Sequence, residues 1–62
     1  MKEQLNQLIE TAQKQLDAVK EDAAKFTEKD NKAAGTRVRT GSMDVIKTLK
    51  EVRTKVTEIK NS

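Results

Sequence analysis

Apolar residues recur along the first half of the chain at Leu5, Ile9, Ala12, Leu16, Val19, Ala23 and Phe26. The steps alternate four and three without a break, which is the seam of a heptad-patterned helix. The second half repeats the pattern at Val38, Ser42, Val45, Leu49, Val52, Val56 and Ile59, with one small polar member, Ser42. Leu8 and Ile46 lie beside the seams and widen them, while Ala12 and Ala23 are small enough to let helices approach. Between the two seams runs Thr27-Glu28-Lys29-Asp30-Asn31, a polar stretch holding two good N-cap residues, Asp30 and Asn31. No proline interrupts either half, and Lys, Glu, Gln, Ala and Leu are strong helix formers. The pattern predicts one domain over 1–62, with a helix over 3–27, a turn over 28–30 and a second helix over 31–60. A connection this short lays the helices side by side. The expected fold is all-α, an antiparallel two-helix hairpin.

A lone hairpin covers one stripe on each helix and leaves the rest wet. A chain of 62 residues also has little core to draw on. It has no Cys for a disulfide, and without Cys or His it lacks the usual ligands of a structural zinc. Self-association or partner binding is the remaining route to stability. The expectation is therefore a homodimer, or a higher homo-oligomer, forming a four-helix bundle, with a loosely packed monomeric hairpin as the alternative. Two glycines complicate the second helix, since Gly35 and Gly41 each cost about 1 kcal/mol relative to Ala in a helix interior. They permit close helix packing or a hinge, or else close approach of the backbone to a phosphate. A different boundary would start the main helix at Ser42 as N-cap and leave 31–41 as a looser arm.

Composition narrows the chemistry. Without His, Cys, Trp or Tyr, most nucleophiles and neutral-pH acid–base groups are missing. The carboxylates fall at ordinary surface spacings on charged helices. An enzyme is not expected, and no cofactor is implied. The first residues, Met1-Lys2-Glu3-Gln4-Leu5-Asn6, are polar and contain no apolar signal core. No apolar run approaches the roughly 18–20 residues of a membrane span. A cytoplasmic protein with no membrane partner is the expectation.

Charge is unevenly placed. Residues 1–28 hold four Lys and six acids, whereas 29–62 hold six Lys, all three Arg and four acids. On a helical wheel Lys32, Arg39, Lys47, Lys50 and Arg53 fall within about 120° of one another, with no acid among them. Asp44, Glu51 and Glu58 cluster on another flank, together with Arg37 and Lys55. A basic stripe along one helix suits the phosphate backbone of a nucleic acid, and arginine can hold phosphate bidentately. The plain alternative is a solvated face that keeps the protein soluble. Thr36, Thr40 and Ser42 offer hydroxyls either to phosphate or to helix back-bonding and capping. Phe26, the sole aromatic, lies on the first seam and is assigned to the core, so no platform exists for stacking bases. The Gln and Asn residues sit mainly in the first helix, away from the basic stripe. These features favour backbone contact without strong sequence preference, to DNA or to RNA.

The stretch Asn31-Lys32-Ala33-Ala34-Gly35-Thr36-Arg37-Val38-Arg39-Thr40-Gly41-Ser42 resembles the core motif of the bacterial histone-like proteins, the chlamydial histone-like family and its short, linker-histone-like relatives. The layout is also similar: a heptad-patterned helix, a polar turn, this segment, then a second helix. The resemblance implies a nucleoid-associated protein that binds and compacts DNA. It points to Lys32, Arg37 and Arg39, with Thr40 close by. Chlamydial members carry a long Lys/Ala/Pro-rich basic tail, whereas this sequence stops at Ser62, which implies a short form able to bridge duplexes by dimerising. Two other classes remain open: a protein–protein assembly module that binds no nucleic acid, and an amphipathic helix on a membrane surface.

Overall fold

A computed structural model describes residues 2–61. Helix α1 spans Lys2–Lys29 and helix α2 spans Lys32–Asn61, and they pack antiparallel along their whole length. Among the described residues there is no strand. The expected all-α hairpin is therefore the observed fold. It is a rod of 49 × 15 × 11 Å with a radius of gyration of 14.4 Å, against about 11 Å for a compact domain of this length. A rod has little interior, and here no large side chain among the described residues is fully buried.

Among the described residues only Asp30 and Asn31 lie outside the helices, a tighter connection than the expected turn over 28–30. The two N-cap candidates divide the work. Asp30 takes the left-handed conformation, φ 52°, that ends a helix. The N–H of Asn31 then donates back to the Lys25 carbonyl at 3.4 Å. Asn31 is the N-cap of α2: its Oδ1 accepts from the Ala34 N–H at 3.2 Å, satisfying a donor that the first turn leaves without an intrahelical partner.

The helix contact is rotated from the expected seam. The buried and half-buried positions are Leu5, Leu8, Ala12, Gln15, Val19, Asp22 and Ala23 on α1, and Ala34, Gly35, Val38, Gly41, Ser42, Val45, Thr48, Val52, Lys55 and Ile59 on α2. Four large members of the expected seams instead face out, with Ile9 43 %, Leu16 56 %, Leu49 47 % and Val56 39 % exposed. The physical reason is the size of the residues that replace them. Ala12, Ala34 and Thr48 are the buried positions, and such small groups let two helix axes come close. The Thr48 hydroxyl donates to Gln15 Oε1 at 2.8 Å, so the polar pair in mid-seam is satisfied. Phe26 is not core as expected: it is 44 % exposed, its ring lying beside Gly35 close to the connection between the helices.

Both glycines serve this close approach. Helix α2 runs unbroken through them, so no boundary occurs at Ser42, whose hydroxyl donates to the Val38 carbonyl at 2.7 Å. A Cβ on Gly41 would sit 2.7 Å from Val19 Cγ2, and one on Gly35 would sit 2.8 Å from Phe26 Cδ1 and Cε1. The Phe26 ring has solvent to swing into, whereas Val19 is β-branched and half-buried.

Gly41→Ala should gain about 1 kcal/mol of helix propensity yet lose more to overpacking against Val19, typically 1–3 kcal/mol. Thermal melts at one protein concentration are expected to show a lowered Tm for Gly41→Ala alone. In a Val19→Ala background the same change is expected to raise Tm. Additive effects in the two backgrounds would contradict the contact.

Candidate nucleic-acid interface

The inward positions of α2 determine what its far side presents. With Val38, Gly41, Val45, Thr48 and Val52 against α1, helical geometry puts Lys50 near the middle of the opposite side. Lys32, five turns earlier, shares the angle of Lys50, while Lys47 lies toward one flank and Arg39 and Arg53 toward the other. All five are exposed, and none is held in an ion pair among the described residues. Lys50 and Arg53 line a shallow depression of about 380 Å³ with Thr54 and Thr57. The two threonine hydroxyls already donate to the carbonyls of Lys50 and Arg53, at 3.1 and 3.2 Å. An anion seated there would therefore be met by the cations. Wheel geometry placed Lys50 and Arg53, but the threonines carry no sequence signal beyond i−4 spacing.

Arg37 stands apart from this ridge. Its Nε donates to Asp22 Oδ1 of α1 at 3.1 Å, with the arginine side chain 51 % exposed and the aspartate 19 %. The wheel had put Arg37 among the acids of α2, and the antiparallel partner adds one more. Lys55, on the same flank, reaches Glu58 at 3.0 Å. Thr40 is exposed.

Pairing also brings α1 to the ridge in a way the linear sequence hides. Gln4, Gln7 and Thr11 line an open groove of about 720 Å³ with Lys47, Lys50 and Thr54. The expectation that the glutamines lie away from the basic stripe is thus corrected for these two. In an antiparallel hairpin the N-terminal turns of α1 stand beside the C-terminal half of α2. The groove also contains Glu51 and Glu58, so its electrostatics are mixed and less suited to phosphate than the outer ridge.

Seen in three dimensions, the 31–42 motif is largely architecture. Asn31 caps α2; Ala34 is fully buried; Gly35 and Gly41 make room for Phe26 and Val19; Arg37 ties the helices together. Its side chains free to meet a partner are chiefly Lys32, Thr36, Arg39 and Thr40.

The family model described as Histone H1-like protein Hc1 matches residues 3–62. The chain belongs to this histone H1-like family. The match runs through both helices, so membership applies to the hairpin as a unit and not to the 31–42 motif alone. No curated protein matches the chain, and no solved structure does. Among the described residues of this histone H1-like hairpin, no group of three potential metal ligands gathers, and no helix is long and apolar enough to cross a membrane.

The Asp22–Arg37 pair is half in water, so its worth is at most about 1 kcal/mol and is screened by salt. Asp22→Asn is expected to lower the urea midpoint slightly at low salt and to leave it unchanged at about 1 M salt, where the Debye length is roughly 3 Å. An equal loss at both salt concentrations would show that packing, and not charge, holds this end of the rod.

Proposed function

We propose that this histone H1-like hairpin is a small nucleoid-associated protein that binds the DNA phosphate backbone with little sequence preference, and that it acts as a homodimer or higher homo-oligomer without catalysing a reaction. The observation that carries this reading is the acid-free cationic ridge of Lys32, Arg39, Lys47, Lys50 and Arg53 on the outer side of α2. From Lys32 to Arg53 the ridge covers roughly 32 Å at 1.5 Å per residue, close to one duplex turn of about 34 Å. Membership of a histone H1-like family supports DNA as the polyanion, in the nucleoid of the cytoplasm. Backbone contact follows from the residue types: Lys and Arg meet phosphate, while no aromatic lies on the ridge to stack a base. Thr40 borders the ridge beside Lys47, whereas Arg37 stands apart from it, on the flank that meets α1. Arg37 contributes less than Arg39, because phosphate must compete with Asp22 for its guanidinium.

The seven large apolar side chains exposed among the described residues, Met43 at 69 % the most so, support self-association. They would equally support a helical assembly module without nucleic acid, and the test separates the two. Titration of a labelled duplex over a series of salt concentrations is expected to give a log K against log salt slope of about −3 to −5, as three to five phosphates are neutralised. Lys50→Ala or Arg53→Ala should each reduce the slope by about 1, on all sequences alike, whereas Arg37→Ala should change it less than Arg39→Ala. Absence of binding at low salt would leave the assembly module as the surviving reading. A steeper preference for an RNA duplex would move the substrate to RNA.

A further inference from the structure

We infer that Met43 is a wedge: its side chain enters the minor groove of a bound duplex and parts two stacked base pairs, so that the hairpin bends the DNA it binds. Such a wedge rests on the DNA-binding reading above and adds to it a deformation of the duplex, which phosphate contacts alone do not require.

Direction sets Met43 apart from the other exposed apolar side chains. Ile9 and Leu16 of α1 and Leu49 and Val56 of α2 face one long side of the rod, and Phe26 lies beside Gly35. On the α2 wheel Met43 stands about 120° from Leu49 and about 140° from Val56, on the side turned away from α1. Its angle is that of the cationic ridge: about 20° from Lys32 and Lys50, and within about 80° of Arg39, Lys47 and Arg53. It also lies midway along the ridge, eleven residues after Lys32 and ten before Arg53. Ile46, three residues on and 54 % exposed, extends the apolar spot toward Arg53. The most exposed large apolar side chain of the hairpin therefore stands at the centre of its most basic surface.

An apolar tip ringed by cations suits a polyanion with an apolar interior, and a duplex has phosphates outside and stacked bases within. An anionic bilayer shares that chemistry, but one methionine and one isoleucine offer little apolar area for insertion, and the histone H1-like family supports DNA. Arg39 and Lys47 stand four residues before and after Met43, about 12 Å apart at 1.5 Å per residue. Their long side chains can reach the phosphates on both banks of a minor groove about 6 Å wide, which holds Met43 over the base edges between them. Apolar wedges placed in this way unstack a base step and kink the duplex by roughly 20–90° toward the major groove. Methionine suits the task because it is unbranched and adapts to an irregular gap, whereas a β-branched residue is stiff at its first torsion. Its thioether is only a weak acceptor, so it selects no base by hydrogen bonding. Pyrimidine–purine steps unstack most easily, so a weak preference for them follows without any base being read.

A short duplex whose one flexible step is a central TA between stiff A-tract flanks localises the effect. With 2-aminopurine as the adenine of that step and a dye pair on the duplex ends, one titration reads unstacking and bending together. The full chain at low salt is expected to brighten the 2-aminopurine severalfold and to raise energy transfer between the ends. Met43→Ala should lose most of both signals at saturation while its salt slope and Tm stay those of the parent, since neither a cation nor a buried contact is removed. Met43→Leu should keep both signals. Lys50→Ala should do the converse, with a slope smaller by about 1 and the saturated signals retained. A parent chain that binds the duplex without brightening or bending it overturns the wedge and leaves the DNA reading standing. Full signals in Met43→Ala do the same. Co-sedimentation with anionic phosphatidylglycerol vesicles that Met43→Ala abolishes, with the duplex signals unchanged, moves the side chain to a bilayer and also overturns the wedge. No binding to any duplex at low salt overturns the DNA reading and the wedge with it.

Discussion

The close approach of the two helices governs everything else in this molecule. Ala12, Gly41, Thr48 and the buried Ala34 occupy the contact, and Gly41 sits so near Val19 that a single added carbon would overlap it. A contact made from small residues is narrow. It needs only one stripe of each helix, and it sets the rotation of both helices about their axes. Larger residues in those positions would have pushed the axes apart and drawn Ile9, Leu16, Leu49 and Val56 inward. Here they stay outside, and the hairpin carries its bulkiest apolar side chains on its surface. Hydrophobic burial, the main stabilising term in folding, is thus mostly unspent in the single chain.

The same rotation decides the electrostatics. Once Val38, Val45 and Val52 turn toward α1, Lys50 must point the other way, with Lys47, Arg39 and Arg53 beside it. Distance from the acids of α1 keeps these cations free of ion pairs among the described residues. Arg37 falls on the flank that meets α1, so it finds Asp22 and becomes part of the fold. Two arginines, two residues apart, have different roles for a reason no longer than half a helical turn.

Such a division also explains the density of the 31–42 stretch. A two-residue connection between long helices demands a left-handed residue, a cap and very small side chains close behind it. Asp30, Asn31, Ala34 and Gly35 answer those demands in order. Cations are threaded between them at positions the helix turns outward. A motif that resembles a DNA-binding signature is therefore in good part a recipe for closing a hairpin, on which a few cations are mounted.

How much of this was legible beforehand follows from the kind of information each feature needs. Helix number, connection and antiparallel order were readable because heptad spacing, absent proline and a polar break are local properties of the chain. The cationic sector of α2 was readable for the same reason, since residues on one helix keep their relative angles whatever surrounds them. Which half of each apolar seam would face the partner was not readable. Leu16 and Gln15 are neighbours on one helix, and only contact with Gly41 and Thr48 across the gap favours the smaller over the larger. The pairing of Arg37 with Asp22, the move of Gln4 and Gln7 to the ridge, and the exposure of Phe26 likewise needed the second helix in place. Sequence along a helix determines angles about its own axis; the rotation of one axis against another is a property of the pair, set by how closely side chains from both can interlock.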